Sequence, residues 1–309
     1  MSELIRQDDL VLPFFIPQAA VRGRLVRLGP AIDAILTRHK YPPAVAALLA
    51  EAMALAAALA GALKYEGVFT LQAKGDGPVR MLVADVTSDG NLRGYAQYDD
   101  DKLKAAEASP VLAPVPRLLG KGYLAFTVDQ GQDTDRYQGI VALEGETLTD
   151  CIQHYFEQSE QIETTLHTAS VLAPTGWRAG ALMVQRMPTI GGTVDAPVPG
   201  TENEEDWNRV KILADTISDK ELTQGDLPPD MLLFRLFHEE EDARIGDPHA
   251  LRDRCRCSRD RVATMLRSLP AEDVEELKEN GAVTASCEFC STDYVFTPEQ
   301  LAILRRGDA

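Results

Sequence analysis

Four of the chain's five cysteines fall in its last fifth, as Cys255-Arg-Cys257 and Cys287-Glu-Phe-Cys290. Sulfurs clustered in this way have three uses: a disulfide framework, a structural metal site or a redox-reactive site. The segment that carries them, residues 250–309, is too short to bury a self-sufficient core, and units of this size commonly need a metal or disulfide staple. The N-terminus, MSELIRQDDLVLPFF, lacks the basic n-region and unbroken apolar stretch of a signal peptide. A reducing, cytoplasmic setting is therefore expected, in which structural disulfides are rare, and the framework becomes the weakest of the three readings.

The spacing favours a metal. In extended backbone, residues i and i+2 project to one side, so Cys255 and Cys257 can present two sulfurs to one point. Cys287 and Cys290, two residues apart in a turn, make the knuckle that wraps a single ion. Together they supply the four ligands of a closed tetrahedral zinc site with Zn–S near ~2.3 Å, leaving no position for water. A structural Zn²⁺ is expected rather than a catalytic one, and none of the five histidines lies among these cysteines. Arg252, Arg254, Arg256, Arg259 and Arg261 surround the first pair, and cations favour thiolate over thiol, which also makes sulfur available to oxidants. A disulfide between sulfurs that share one ion removes two ligands at once, where metal binding carries on the order of 10–16 kcal/mol. Cys151, which begins an apolar helix face far away in sequence, reads as a core residue.

The remainder reads as α+β in three parts. Residues 1–180 form a mixed unit with a largely antiparallel sheet: GPVRMLVADVTSDGNLRGYA (77–96) and GYLAFTVDQGQDTDRYQGIVAL (122–143) alternate between Gly/Asp turns as hairpins do. PPAVAALLAEAMALAAALAGALK (42–64) is long enough to cross a membrane, but Ala dominates it and Glu51 interrupts it, so a buried helix is expected and no membrane partner. DCIQHYFEQSEQIETTL (150–166) reads as a helix capped by Thr149 or Asp150. Residues 181–249 form a helical linker, opening on a Pro/Gly/acid-rich loop at 187–206. Residues 195–249 hold 15 Asp/Glu against 5 Lys/Arg, a net of −10 out of −17 for the chain. Such a segment repels itself, yet Trp207, Val210, Ala214 and Ile217 keep helical spacing and MLLFRLF (231–237) is densely apolar. It can fold against a support, expected to be the C-terminal cysteine-bearing module, while covering part of the α/β unit, and should unfold when the support goes. In residues 250–309, Ser258 caps one helix, AEDVEELKENG supplies a second and Thr297-Pro298-Glu299-Gln300 opens a third.

These residues resemble the 33 kDa redox-regulated heat-shock chaperone family over essentially the whole chain. The resemblance is carried by CRC (255–257), 29 intervening residues, CEFC (287–290) and the preceding LFHEEEDAR (236–244), with HYFEQSEQ (154–161) and DRYQGIVALEGE (135–146) upstream. It implies an ATP-independent holdase without enzymatic activity, reduced, zinc-bound and inactive in unstressed cells. Oxidation in the family releases zinc and forms one disulfide within each pair, by position Cys255–Cys257 and Cys287–Cys290. The linker then unfolds, unfolding client proteins are bound, and the active form is a homodimer. A Cys255–Cys257 bond would bend the backbone, because i and i+2 of a strand sit near the upper limit of Cα separation for a disulfide, about 6.8 Å. Where the family has Gly and basic residues after CxxC, this chain has Ser291, Thr292 and Asp293.

Two other classes compete. One is a zinc ribbon that docks nucleic acid or the transcription machinery through its arginines, against which the net charge of −17 argues, so no nucleic-acid partner is expected. The other is an enzyme built on the α/β unit, but the sequence holds no GxGxxG, GxSxG or P-loop.

Overall fold

The computed structural model describes residues 8–107, 112–131, 137–187, 201–240 and 242–306. The chain begins with strands β1 (Leu10–Ile16) and β2 (Val21–Leu28), helices α1 (Pro30–His39) and α2 (Pro43–Ala62), and strands β3 (Val68–Gly75), β4 (Val79–Thr87) and β5 (Asn91–Tyr98). Helix α3 (Asp100–Glu107), strands β6 (Gly122–Asp129) and β7 (Tyr137–Ala142), helix α4 (Leu148–Tyr155) and the long hairpin β8 (Thr164–Ala173) and β9 (Gly176–Arg186) follow. Helices α5 (Thr201–Asp215), α6 (Asp219–Thr223) and α7 (Pro229–Phe237) lead to the two-residue strands β10 (Arg244–Ile245), β11 (His249–Ala250) and β12 (Arg252–Asp253). The chain divides into two compact units after Asp253. The fold is α+β with antiparallel sheets, as expected, apart from a parallel β12–β5 pairing.

The larger unit holds two sheets, one ordered β10-β1-β2-β9-β8 with β11 also on β1, the other β12-β5-β4-β3-β6-β7. Helix α2 lies between them. Its alanines at 46, 50, 52, 54, 56, 57, 58 and 60, fully or nearly fully buried, form a core with Val26, Leu28, Ala181 and Met183 of the first sheet and Phe69, Leu82 and Ala84 of the second. Small side chains on every face let both sheets approach one helix, which is how a sequence of membrane-span length is buried inside protein. Glu51 Oε1 accepts bonds from Thr149 N (3.2 Å) and Thr149 Oγ1 (3.0 Å) in the first turn of α4. Burial raises its carboxyl pKa, and these bonds only partly oppose the shift.

Strand alternation gives the first sheet a second apolar face, and this one is covered by the acidic segment. Leu10, Leu12, Phe14, Leu25, Leu182 and Val184 pack against Trp207, Val210, Ala214, Leu232, Leu236 and Phe237. Phe14 stacks on Phe237 with centroids 5.2 Å apart. The ring of Phe14 lies across its cross-strand neighbour Gly23, where a Cβ would sit 2.0 Å from it. Charge is matched as well. Arg27, fully buried on this face, donates to the carbonyls of Glu221 (2.6 Å), Leu227 (3.0 Å) and Gln224. Arg178 Nε donates to Thr223 O at 2.6 Å, and His167 Nε2 lies 2.8 Å from Asp215 Oδ1. Among the described residues, the support on which 201–237 folds is this sheet.

The helix expected over 150–166 starts earlier and ends sooner. Thr147 caps it in a capping box with Asp150 at N3, so neither Thr149 nor Asp150 is the cap. A wider turn, Phe156–Glu160, closes on Gln161 in the left-handed region, and β8 takes over at Thr164. Most of the loop expected at 187–206, residues 188–200, lies outside the described residues.

Residues 244–253 form a strap. Ile245 and Arg244 pair with Phe14 and Phe15, and Ala250 and His249 with Leu10 and Val11. Beyond them, Arg252 and Asp253 pair with Asn91 and Leu92 of the other sheet. Asp253 forms an ion pair with Arg38, and Arg252 Nε donates to Asn91 Oδ1 at 2.8 Å.

The smaller unit contains α8 (Arg259–Ser268), α9 (Ala271–Glu276), β13 (Val283–Ser286), β14 (Asp293–Phe296) and α10 (Pro298–Arg306). Ser258 caps α8 by accepting from Arg261 N at 3.3 Å. Its core among the described residues is Leu266, Val274, Val283, Phe296 and Leu301.

Candidate metal centre

Two features of local sequence bring the sulfurs together. Cys255 and Cys257 lie in the irregular stretch between β12 and the Ser258 cap, where no ladder competes for their backbone. Cys287 and Cys290 occupy the β13–β14 turn. The turn is closed by Cys287 N to Thr292 O (3.0 Å), Cys290 N to Cys287 O (3.3 Å) and Ser291 N to Cys287 O (2.8 Å). Ser291 takes a φ of 55° to complete it.

All four Sγ atoms lie within 4.8 Å of one another. Cys255 Sγ is 3.7 Å from Cys287 Sγ, and Cys257 Sγ is 3.3 Å from Cys290 Sγ. A tetrahedron with metal–sulfur bonds of ~2.3 Å has edges of about 3.8 Å, so the donor set and its spacing fit a four-sulfur metal site. All four cysteines are half-buried, so such an ion would be screened from bulk solvent without sitting in the core.

Two further side chains contact the sulfurs, and one of them, Tyr294, is not singled out by the sequence. Tyr294 donates its hydroxyl proton to Cys257 Sγ at 3.1 Å, and Thr292 Oγ1 is hydrogen-bonded to Cys290 Sγ at 3.2 Å. Tyr294 reaches the site because β13 and β14 pair Ala285 with Tyr294, a register that a single sequence does not display. The thiols are unequal. Burial pushes Cys257 up to about 12 and raises Cys287. Burial also raises Cys290, but hydrogen bonds from the Thr292 side chain, Cys257, the Thr292 backbone and Cys287 outweigh it and bring the thiol down to about 7.

Of the arginines expected to bias the first pair, two are occupied elsewhere and a third binds the backbone between the two cysteines. Arg252 binds Asn91 and the Asp89 carbonyl. Arg259 lies 4.2 Å over the Phe296 ring and donates to Val295 O and Gln300 Oε1. Arg261 donates to Arg256 O at 2.9 Å. Their work is to hold backbone and rings in place. Cys151 is fully buried in the larger unit, and burial pushes its thiol up to about 11, as suits a core residue. Among the described residues, the four cysteines are the one group of three or more side chains placed to hold a metal ion.

The chain matches the family model described as Hsp33 protein over residues 9–297. It is 42% identical over 296 residues to the 33 kDa chaperonin of Caulobacter vibrioides, covering 94% of this chain and 95% of that one. It is 38% identical over 302 residues to the 33 kDa chaperonin of Ectopseudomonas mendocina, covering 97% and 96%. Its fold matches the crystal structure of the 33 kDa chaperonin of Thermotoga maritima with a TM-score of 0.75 at 22% identity, covering 97% and 98% of the two chains. The family match and the relatives span both the acidic helices and the sulfur cluster, and the chain belongs to the Hsp33 family.

Proposed function

We propose that the protein is a redox-regulated, ATP-independent holdase of the cytosol that binds unfolding client proteins under oxidative stress and performs no chemistry on them. The observation that carries this reading is the gathering of Cys255, Cys257, Cys287 and Cys290 within 4.8 Å in a unit with five buried apolar side chains among the described residues. Bound by these four thiolates, a Zn²⁺ would supply the crosslink that so small a core lacks. Oxidation joins Cys255 to Cys257 and Cys287 to Cys290. Each pair of thiolates gives up two electrons to one peroxide, which takes two protons from solvent and leaves as two waters. Sulfurs joined in disulfides retain no thiolate with which to hold the metal.

The functional segments are then 1–180 for client binding, 181–249 for the switch and 250–309 for sensing. Asp253, the end of the strap, precedes Cys255 by two residues, so loss of the small unit's fold leaves β12, β11 and β10 fraying from a free end. Residues 201–237, self-repelling by charge, lose their sheet support and expose Leu12, Phe14, Leu25 and Val184 as a surface for apolar client segments. The same exposed face supports dimerisation of the active form.

The test is to treat the metal-loaded chain with peroxide at elevated temperature and measure metal, free thiols and aggregation of an unfolding client together. One metal ion and four thiols should be lost as client aggregation is suppressed. Client aggregation unchanged by the oxidised chain contradicts the reading.

A further inference from the structure

At the end of α6, the acidic segment that covers the first sheet meets it through backbone oxygens. Arg27, fully buried on β2, donates through Nη2 to Glu221 O at 2.6 Å, and through Nη1 to Leu227 O at 3.0 Å and to Gln224 O. Arg178, on β9, donates through Nε to Thr223 O at 2.6 Å and is ion-paired with Asp8. Gly180 stands directly opposite Arg27, and a Cβ there would lie 2.5 Å from Leu222 O. Two guanidiniums and the space left by one missing side chain thus form a seat for the carbonyls of 221 to 224 and 227. The seat borders the apolar face. Leu25, two residues before Arg27 on the same side of β2, and its β9 partner Leu182 both pack under the cover.

Whatever replaces the cover on this face takes Arg27 out of water again. A guanidinium desolvated without an acceptor is costly, so a segment that brings none, or that brings a second cation, binds at a penalty. We propose that the uncovered face selects its clients through this seat, taking apolar polypeptide segments that carry oxygen acceptors at one end, amide carbonyls or carboxylates, and rejecting segments with basic residues there. The proposal rests on the chaperone reading for release of the cover, and residues 221–227 of the cover are the template for the client. It runs against net charge, since at −17 the chain as a whole attracts basic segments.

The test uses the full-length, peroxide-treated chain and fluorescein-labelled peptides that share the stretch Leu-Leu-Ala-Phe-Leu-Leu. Each ends in two residues of Gln, Glu, norleucine or Lys, with an amidated C-terminus, and fluorescence anisotropy gives the affinities. The Gln and Glu peptides should bind about tenfold more tightly than the Lys peptide, the order of one hydrogen bond to a charged group. Equal binding of Gln and Glu assigns the seat to carbonyl oxygen in general, and a preference for Glu assigns it to carboxylates. In Arg27→Met the ratio of Gln to norleucine affinity should fall about tenfold. Both of those peptide ends are uncharged, so the change reads lost hydrogen bonds and not net charge. Arg178→Met should lower the same ratio, which keeps the test open if Arg27→Met does not fold. Tightest binding of the Lys peptide, or a Gln-to-norleucine ratio unchanged in the folded variants, overturns the proposal. Suppression of client aggregation is read alongside: its absence sinks the chaperone reading and the proposal with it, whereas suppression without preference among the four peptides sinks the seat alone.

Discussion

The sheet β1-β2-β9-β8 is covered on its two faces by helices of opposite character. On one face α2 is apolar on all sides, with Ala and Leu buried between two sheets and a single carboxylate, Glu51, tied to the start of α4. On the other, α5 to α7 belong to a segment of net charge −10, with apolar stripes that face the sheet and the buried Arg27 and half-buried Arg178 catching their carbonyls. The first cover has nowhere else to go: exposing it would open both sheets. The second exchanges its apolar contacts against charge repulsion and a solvated acidic surface, and its main-chain carbonyls are held by side chains of the sheet. In the proposed switch the contrast has a use: one sheet carries a permanent layer and a releasable one, distinguished by where charge is placed and not by how apolar the contact is.

The largest expected effect comes from removing the proposed trigger. Cys287→Ser with Cys290→Ser should abolish metal retention, because it deletes two of the four proposed ligands, where metal binding in small zinc domains is worth on the order of 10–16 kcal/mol. Metal analysis after gel filtration checks this, and full metal content in the variant would break the comparison at its source. Next, equal truncations on the two faces should differ in kind. Leu49→Ala, facing α2's core, should destabilise the whole larger unit by about 2–5 kcal/mol, read in chemical denaturation. Leu232→Ala, on the acidic cover, should cost a similar amount but be read as dye binding and client protection without oxidation.

A smaller effect is expected from Arg27→Met. The packing is kept, but the carbonyls of Glu221, Gln224 and Leu227 lose their donor, which should weaken the acidic cover by about 1.5–3 kcal/mol. Faster limited proteolysis within 201–237 would show it. The smallest concerns Glu51. Its pKa is raised on folding, so its favourable contribution is complete below the unfolded value and is lost as pH rises through the folded one. Glu51→Gln should therefore raise the melting temperature slightly near pH 7 and give no gain in acid.

Much of this was legible in the sequence, for identifiable reasons. The sulfur cluster was readable because CxC and CxxC each fix two ligands locally, leaving the fold only to bring the pairs together. Buried α2 was readable from its alanines, and the acidic cover from Trp207, Val210, Ala214 and Ile217 at helical spacing. The strap 244–253 was not, because two-residue strands have no period to detect. The start of α4 was misread because Asp150 resembles a cap, yet acts as the N3 partner of Thr147. Tyr294 and Arg27 act through strand register and main-chain carbonyls, neither of which a side-chain pattern records.

The central claim is that the two covers respond differently to oxidation, and hydrogen–deuterium exchange of the reduced, metal-loaded chain against the peroxide-treated chain tests it most directly. The account predicts that amides of residues 201–237 lose protection while those of residues 43–62 keep theirs. Protection retained in both segments, or lost from both together, would contradict it.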